Sequence, residues 1–151
     1  MYTLGKSFIL ILLIGTLLVA CTSQPAGIPI PTTPATGNPY APQPADGSMT
    51  RGDAEIVSTS LLVSESQPPE VSISLAYRLP TPCTQLRVII GQPDSQNCIH
   101  LDVYGLTPKD KACNLMALLP PLETSINLSI YPAGHYSVFM NGQQVGVFDA
   151  R

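Results

Sequence analysis

The sequence predicts an all-β domain, an antiparallel immunoglobulin-like β-sandwich of about seven strands, in the C-terminal two thirds of the chain. Short apolar runs alternate with polar residues at a period of two, which is the pattern of strands with one buried face. Clusters of Pro, Gly, Asn and Asp separate these runs, as turns do in sandwiches. The region holds about 100 residues, a common size for one domain.

The predicted strands share this alternation of apolar and polar positions. In chain order they cover residues 56–63, 71–77, 86–90, 99–103, 126–130, 136–140 and 145–148. Several are rich in Val and Ile, which suit a pleated, half-buried surface. Together they predict two packed sheets around one core.

The last two strands predict a hairpin whose register can be stated. Asn141-Gly142 suits a two-residue type I′ turn. The expected pairs on the apolar face are Met140 with Gln143, Val138 with Val145, and Tyr136 with Val147. On the other face the expected pairs are Phe139 with Gln144 and His135 with Phe148. This second face is partly apolar, so we expect a loop or a partner to cover it.

One stretch breaks the β pattern. Thr107 and Pro108 could be the N-cap and first residue of a short helix near 108–118, which Pro120-Pro121 would end. A strand over 113–119 is the competing prediction. The sequence leaves both open.

The N-terminus is typical of an exported protein. Lys6 precedes an apolar run at 8–20 that is short for a membrane span, and the run closes with Leu18-Val19-Ala20-Cys21. This segment resembles a bacterial lipoprotein signal with its lipobox. The resemblance implies that residues 1–20 are removed and that the Cys21 thiol receives a diacylglyceryl group. We therefore expect an extracytoplasmic protein that is lipid-anchored to the cell membrane or the outer membrane.

Residues 21–50 predict a disordered linker. They contain many prolines and almost no charge, and they lack the apolar periodicity that a core requires. Arg51-Gly52-Asp53 would then be a flexible entry to the domain at 51–151.

The charge of the chain excludes some partners. The formal net charge is −3, and no basic face of the kind that binds nucleic acid is apparent. We expect no nucleic-acid partner and no cofactor. The membrane is the expected attachment, through the lipid.

After acylation of Cys21, three cysteines remain for an oxidising compartment, and they permit one internal bridge. We predict Cys83 with Cys113, because both fall near strand ends or loops. Cys98 shares the strand parity of His100 and Asp102, so we expect it to point away from the core. One thiol would be left over.

Cys98, His100 and Asp102 also raise an alternative function, copper-type metal or redox handling, with His135, Met116 and Met140 as further ligands. No close-spaced ligand motif supports it. Neighbours at i and i+2 on one strand face stand about 6 to 7 Å apart, too far for a direct Cys–His hydrogen bond. No catalytic constellation is found, so we predict a protein that is not an enzyme.

Two motifs add a second resemblance. Gly134-x-Tyr136-x-Val138 resembles the lead into the penultimate strand of many immunoglobulin-like domains, where the tyrosine hydroxyl bonds nearby backbone. With the segment 79–83 and Cys113, it resembles sandwich domains of uncharacterised bacterial lipoproteins. That resemblance implies no activity. The leading hypothesis is a binding or structural module whose partner is an envelope protein or a cell-wall component.

Overall fold

The computed structural model of the protein describes residues 37–109, 113 and 120–151. The predicted signal peptide, the linker residues 21–36 and most of the segment predicted as either helix or strand lie outside the described residues. Within the described ranges no helix is long and apolar enough to cross a membrane.

The regular secondary structure of the described residues is almost entirely β. A short 3-10 helix, Pro44–Ser48, precedes eight strands. The strands are β1 (Met49–Asp53), β2 (Glu55–Val63), β3 (Val71–Arg78), β4 (Gln85–Ile90), β5 (Cys98–Pro108), β6 (Leu122–Asn127), β7 (Gly134–Met140) and β8 (Gln143–Ala150).

The strands form two sheets, and the prediction of a β-sandwich is confirmed. The five-stranded sheet has β4 on one side of β5, while β1 and β7 share the other side of β5 and β8 follows β7. The three-stranded sheet has the order β2-β3-β6. The β5–β7 pair is parallel, which departs from the fully antiparallel sandwich that the sequence predicts.

The core forms where the alternating apolar residues of both sheets meet. Ile73 and Leu75 of β3 pack with Ile99 of β5 and Val138 of β7, and all four are fully buried. β-branched side chains fit this pleated interior, and their burial supplies most of the driving force for folding. The prediction that alternate residues of the central strands face the core is therefore confirmed.

Three elements differ from the predictions. Arg51-Gly52-Asp53 lies in β1, paired with β5, rather than in a flexible entry. β6 begins earlier than predicted and ends at Asn127, so that Ile130 is 69% exposed. Thr107 and Pro108 end β5, so the predicted helix N-terminus at these two residues is wrong.

The final hairpin has the predicted turn but not the predicted register throughout. Asn141 and Gly142 have positive φ values of 50° and 83°, as a type I′ turn requires. Beyond Phe139, which pairs with Gln144 as predicted, an extra residue at Val145 creates a bulge. The bulge shifts the remaining register by one residue. The observed pairs are Val138 with Gly146, Ser137 with Val147, Tyr136 with Phe148, and His135 with Asp149.

The bulge changes which side chains reach the core. Phe148 is buried and stacks on Tyr136 with ring centroids 5.2 Å apart, while Val147 is exposed. The predictions that Phe148 lies on the outer face and that Val147 faces the core are therefore wrong. The predicted role of Tyr136 is confirmed, because its hydroxyl donates a 3.0 Å hydrogen bond to the Pro132 carbonyl.

Residues 38–48 lie on the domain, and we call them the strap. The Val88 amide of β4 donates to the Tyr40 carbonyl at 2.8 Å, and the Asn38 side chain donates to the Val88 carbonyl at 3.0 Å. The Tyr40 hydroxyl lies 2.8 Å from the Thr124 hydroxyl of β6 in the other sheet. The strap thus covers the edge of β4 and joins the two sheets, so this part of the predicted linker is packed against the domain.

Candidate functional site

The outer surface of the five-stranded sheet carries a pair of stacked rings. The parallel register of β5 and β7 sets His100 opposite Phe139. Their ring centroids are 5.3 Å apart with an interplanar angle of 27°. Both side chains are partly exposed, so the pair presents a flat ring surface to solvent.

A carboxylate flanks these rings. Asp94 Oδ1 accepts hydrogen bonds from the backbone amides of Gln96 at 2.8 Å and Cys98 at 2.9 Å. These bonds, that from Cys98 above all, hold the pKa of Asp94 below its ordinary value. The other oxygen lies 3.8 Å from His100 Nε2. Asp94 is therefore a fixed negative charge beside the imidazole.

An ion pair lies further along β5. Arg51 Nη2 donates to both oxygens of Asp102, at 2.6 and 2.7 Å, and its guanidinium lies 3.8 Å from the ring centroid of Tyr104. The ring supports the cation through its negative face. Burial is the main cause that raises the pKa of Tyr104, so this residue stays a neutral phenol. Arg51 and Asp102 remain about half exposed and can still reach a ligand.

We call Asp94, His100, Asp102, Arg51 and Phe139 the outer patch. Phe139 was expected on this face from the hairpin, and Gln144 lies opposite it and is exposed, as expected. Arg51 was missed, because its partner Asp102 is distant in sequence and only the pairing of β1 with β5 brings them together.

A second ion pair lies near the patch but is closed to solvent. Arg87 Nε and Nη2 donate to the two oxygens of Asp46, at 2.8 and 2.9 Å, and Nη2 also donates to Gln85 Oε1. The hydrogen bond from Arg87 is the main cause that lowers the pKa of Asp46. This pair fastens the strap to β4 and has a structural role.

Cys98 does not lie where the sequence predicts. Its exposed fraction is only 1%, because the start of β5 is enclosed by the loop from Asp94 to Asn97 and by β7, where Cys98 pairs with Ser137. It is not a free thiol. The prediction of a solvent-facing, left-over thiol is therefore wrong. A bonded cysteine cannot supply the thiolate that the metal or redox alternative requires.

The predicted disulfide is confirmed. Cys83, in the connection between β3 and β4, is bonded to Cys113, with the Cα atoms 5.9 Å apart. The bond ties the connection after β5 to the connection before β4.

The other proposed metal ligands are dispersed. Met140 is buried in the core, and Met116 lies outside the described residues. His135 is exposed and pairs with Asp149 at 2.8 Å. Among the residues described, no group of three or more His, Cys, Asp or Glu side chains could hold a metal ion.

A shallow groove of about 450 Å³ lies at one end of the three-stranded sheet. Its apolar lining includes Leu62, Val63 and Ile130, and Glu70 lies at its side. The groove does not adjoin the outer patch, which belongs to the other sheet.

Comparison with known proteins gives two matches. A family model described as the ORF11 beta-sandwich domain matches residues 73–150, from within β3 to the end of β8. The "Uncharacterized 10.2 kDa protein in HgiCIIM 5'region" of Herpetosiphon aurantiacus is 32% identical over 88 residues, which are 57% of this chain and 89% of that protein. No solved structure matches the chain significantly.

Proposed function

Since the chain belongs to the ORF11 beta-sandwich domain family, we propose that it is a membrane-anchored extracytoplasmic lipoprotein whose sandwich serves as a binding or structural module in the cell envelope. We also propose that the protein is not an enzyme. Its partner would be an envelope protein or a cell-wall component.

The lipobox at residues 18–21 supports the anchoring. Replacing Cys21 by Ser removes the only atom that can carry the thioether, so we expect the variant to leave the detergent phase of a Triton X-114 partition. Ser23→Ala, two residues further on, is the matched control and should partition like the wild type. Equal partitioning of Cys21→Ser and wild type would contradict the anchoring.

Peptide mapping of the mature protein tests the same thiol directly. A sulfur atom in a diacylglyceryl thioether cannot form a disulfide as well. We expect an N-terminal peptide that begins at Cys21 and carries the lipid. Finding Cys21 in a disulfide with Cys98 instead would overturn the lipoprotein proposal.

The outer patch supports the binding role. The stacked pair of His100 and Phe139 offers a flat surface for contact with an apolar face of a ligand. Asp94, Asp102 and Arg51 offer hydrogen-bonding groups of both charge signs around it. A few polar groups placed around an apolar centre are what specific recognition requires.

Site-specific photo-cross-linking in whole cells tests this role. A photoreactive residue at Gln144, beside the patch, should link to one envelope component. The same residue at Ser125, exposed on the other sheet, is the control and should not. We expect Phe139→Ala to remove the link from position 144. Identical products from both positions, or no product from position 144, would contradict a binding role for the patch.

A further inference from the structure

The sandwich has two lateral sides, and they differ in how the strand edges are covered. On one side the strap hydrogen-bonds to Val88 of β4 and bridges to Thr124 of β6. On the other side lie β2 and β8, which are the end strands of the two sheets. Leu61 of β2 packs there against β8, since a Cβ at Gly146 would come within 2.9 Å of the leucine. The described residues place no further strand on either of these two edges.

The edge strand β2 lacks the usual protection against pairing. It is nine residues long, and between Ile56 and Val63 it has no charged residue and no proline. Val57, Leu62 and Val63 are 43%, 51% and 44% exposed. Natural edge strands usually carry lysine, proline or inward charges that prevent strand addition. The register shift near Val57 is the one feature within this part of β2 that would hinder the addition of another strand.

The sequence of β2 is also self-complementary. Around Thr59 the residues match in pairs, with Ser58 and Ser60 as the inner pair, Val57 and Leu61 next, and Ile56 and Leu62 beyond them. Two identical antiparallel strands related by a two-fold axis pair each residue with its counterpart across the axis. An axis at Thr59 would set Thr opposite Thr and Ser opposite Ser, and such cross-strand pairs stabilise a sheet. Because of the register shift between Ile56 and Ser58, the apolar Leu61 and Leu62 would lie near the bulged Val57 and not in regular pairs.

From these observations we propose that two copies of this chain associate through β2, paired antiparallel about Thr59, so that their three-stranded sheets form one continuous sheet. The proposal does not depend on the proposed membrane anchoring. Edge pairing buries less than the roughly 1,600 Å² of a standard interface, so we expect micromolar association.

The linker is a poorer occupant of this edge. A strand that adds to β2 must donate backbone amides to it. Pro25, Pro29, Pro31 and Pro34 have no amide hydrogen, and they are spread over residues 21–36. A second β2 strand, which contains no proline, has every donor that the ladder needs.

Cysteine cross-linking of the full mature chain tests the register. In the proposed dimer the two Thr59 side chains face each other across the axis, within disulfide range. Under mild oxidation we expect Thr59→Cys to form several-fold more disulfide-linked dimer than Ser125→Cys on the opposite edge. Ser125 is the more exposed of the two, so random collision would favour the control. Equal yields from the two variants would overturn the proposal.

Sedimentation of the full chain in mild detergent tests the association itself. Leu62→Lys replaces an exposed apolar side chain near the paired segment by a charge, and we expect the dimer dissociation constant to rise about tenfold or more. Ile130→Lys, at an exposed site outside β2, should leave it unchanged. A monomer at every concentration, whether the edge is bare or covered by the chain's own N-terminus, overturns the proposal. A dimer that Leu62→Lys does not weaken also overturns it.

Discussion

At the scale of the residue, the buried pair of Asp46 and Arg87 shows how one contact defines the start of the domain. Arg87 is almost fully buried, and its guanidinium has four acceptors within hydrogen-bond distance: the two oxygens of Asp46, the Gln85 side chain and the Leu86 carbonyl. A buried cation is tolerated only when it is paired in this way. The strap therefore supplies a charge that β4 needs.

Removing that charge should destabilise the protein. We expect Asp46→Asn to lower the free energy of unfolding at pH 7 by about 3 kcal/mol, because Arg87 stays buried without its counterion. Asp53→Asn, at an exposed carboxylate in β1, is the control and should change it by less than about 0.5 kcal/mol. Urea unfolding measures both.

The same pair has a defined pH dependence. Because Arg87 lowers the pKa of Asp46 below 3.8 in the folded state, the contribution of this carboxylate is complete above pH 3.8 and is lost as the pH falls through the folded pKa. The stability gap between wild type and Asp46→Asn should therefore shrink in acid. A gap that stays constant down to complete acid unfolding would contradict this assignment.

A pair of glycines on adjacent strands gives a matched test of packing. Gly105 of β5 lies opposite Gly52 of β1. A Cβ at Gly105 would lie 2.7 Å from Thr84 Cγ2, whereas one at Gly52 would meet nothing within 4 Å. Thr84 cannot move away freely, because its hydroxyl is 2.9 Å from those of both Thr81 and Thr107.

We therefore expect opposite outcomes for the two alanine variants. Gly105→Ala should lose about 1–3 kcal/mol of unfolding free energy through overpacking. Gly52→Ala should be nearly neutral or slightly stabilising. Thermal and urea unfolding would check both, and equal losses would show that the contact with Thr84 is not the cause.

At the scale of the element, the sequence predicts a strand well where the alternation of apolar and polar residues causes it. It predicts a strand poorly where pairing with a strand distant in sequence causes it. β3 alternates strictly between core and surface, so its pattern is visible in the sequence alone. β1 has no buried residue and is a strand because it pairs with β5. The bulge at Val145 is likewise set by packing, since Phe148 reaches the core only through the shifted register. The outer patch needs both β1 and the parallel β5–β7 pair, so the sequence indicated only part of it.

The contacts of the strap indicate which N-terminal residues can be deleted without loss of stability. Removing residues 22–36 should leave the unfolding free energy unchanged. Extending the deletion to residue 48 should destabilise the domain by several kcal/mol and promote aggregation, because it strips Arg87 of its partner and uncovers the edge of β4. Unfolding and light scattering of the two deletion variants would measure this. Equal stability of both would show that the strap adds nothing.

At the scale of the whole molecule, the sandwich combines a small core with covalent reinforcement. Cys83 and Cys113 lie in the connections on either side of β4 and β5, 30 residues apart in sequence. Closing a loop of this length restricts the unfolded chain. The prediction of the bond from the sequence was correct because both cysteines lie outside the alternating strands.

Breaking this bond should weaken the molecule as a unit. We expect the double variant Cys83→Ser/Cys113→Ser to lose about 3–4 kcal/mol of unfolding free energy. Urea unfolding of the double variant and the oxidised wild type measures this loss. A double variant as stable as the oxidised wild type would contradict the stabilising role.

If Cys21 carries the proposed lipid, the position of the strap also limits how far the sandwich can lie from the bilayer. With residues 38–48 held on the sheets, the spacer from an acylated Cys21 comprises residues 21–37 and not the whole proline-rich stretch to residue 50. At about 3.1 to 3.3 Å per residue it can extend about 55 Å at most. Anchoring of the proposed kind would hold each copy in a layer near the membrane surface, where two copies would meet at a raised local concentration.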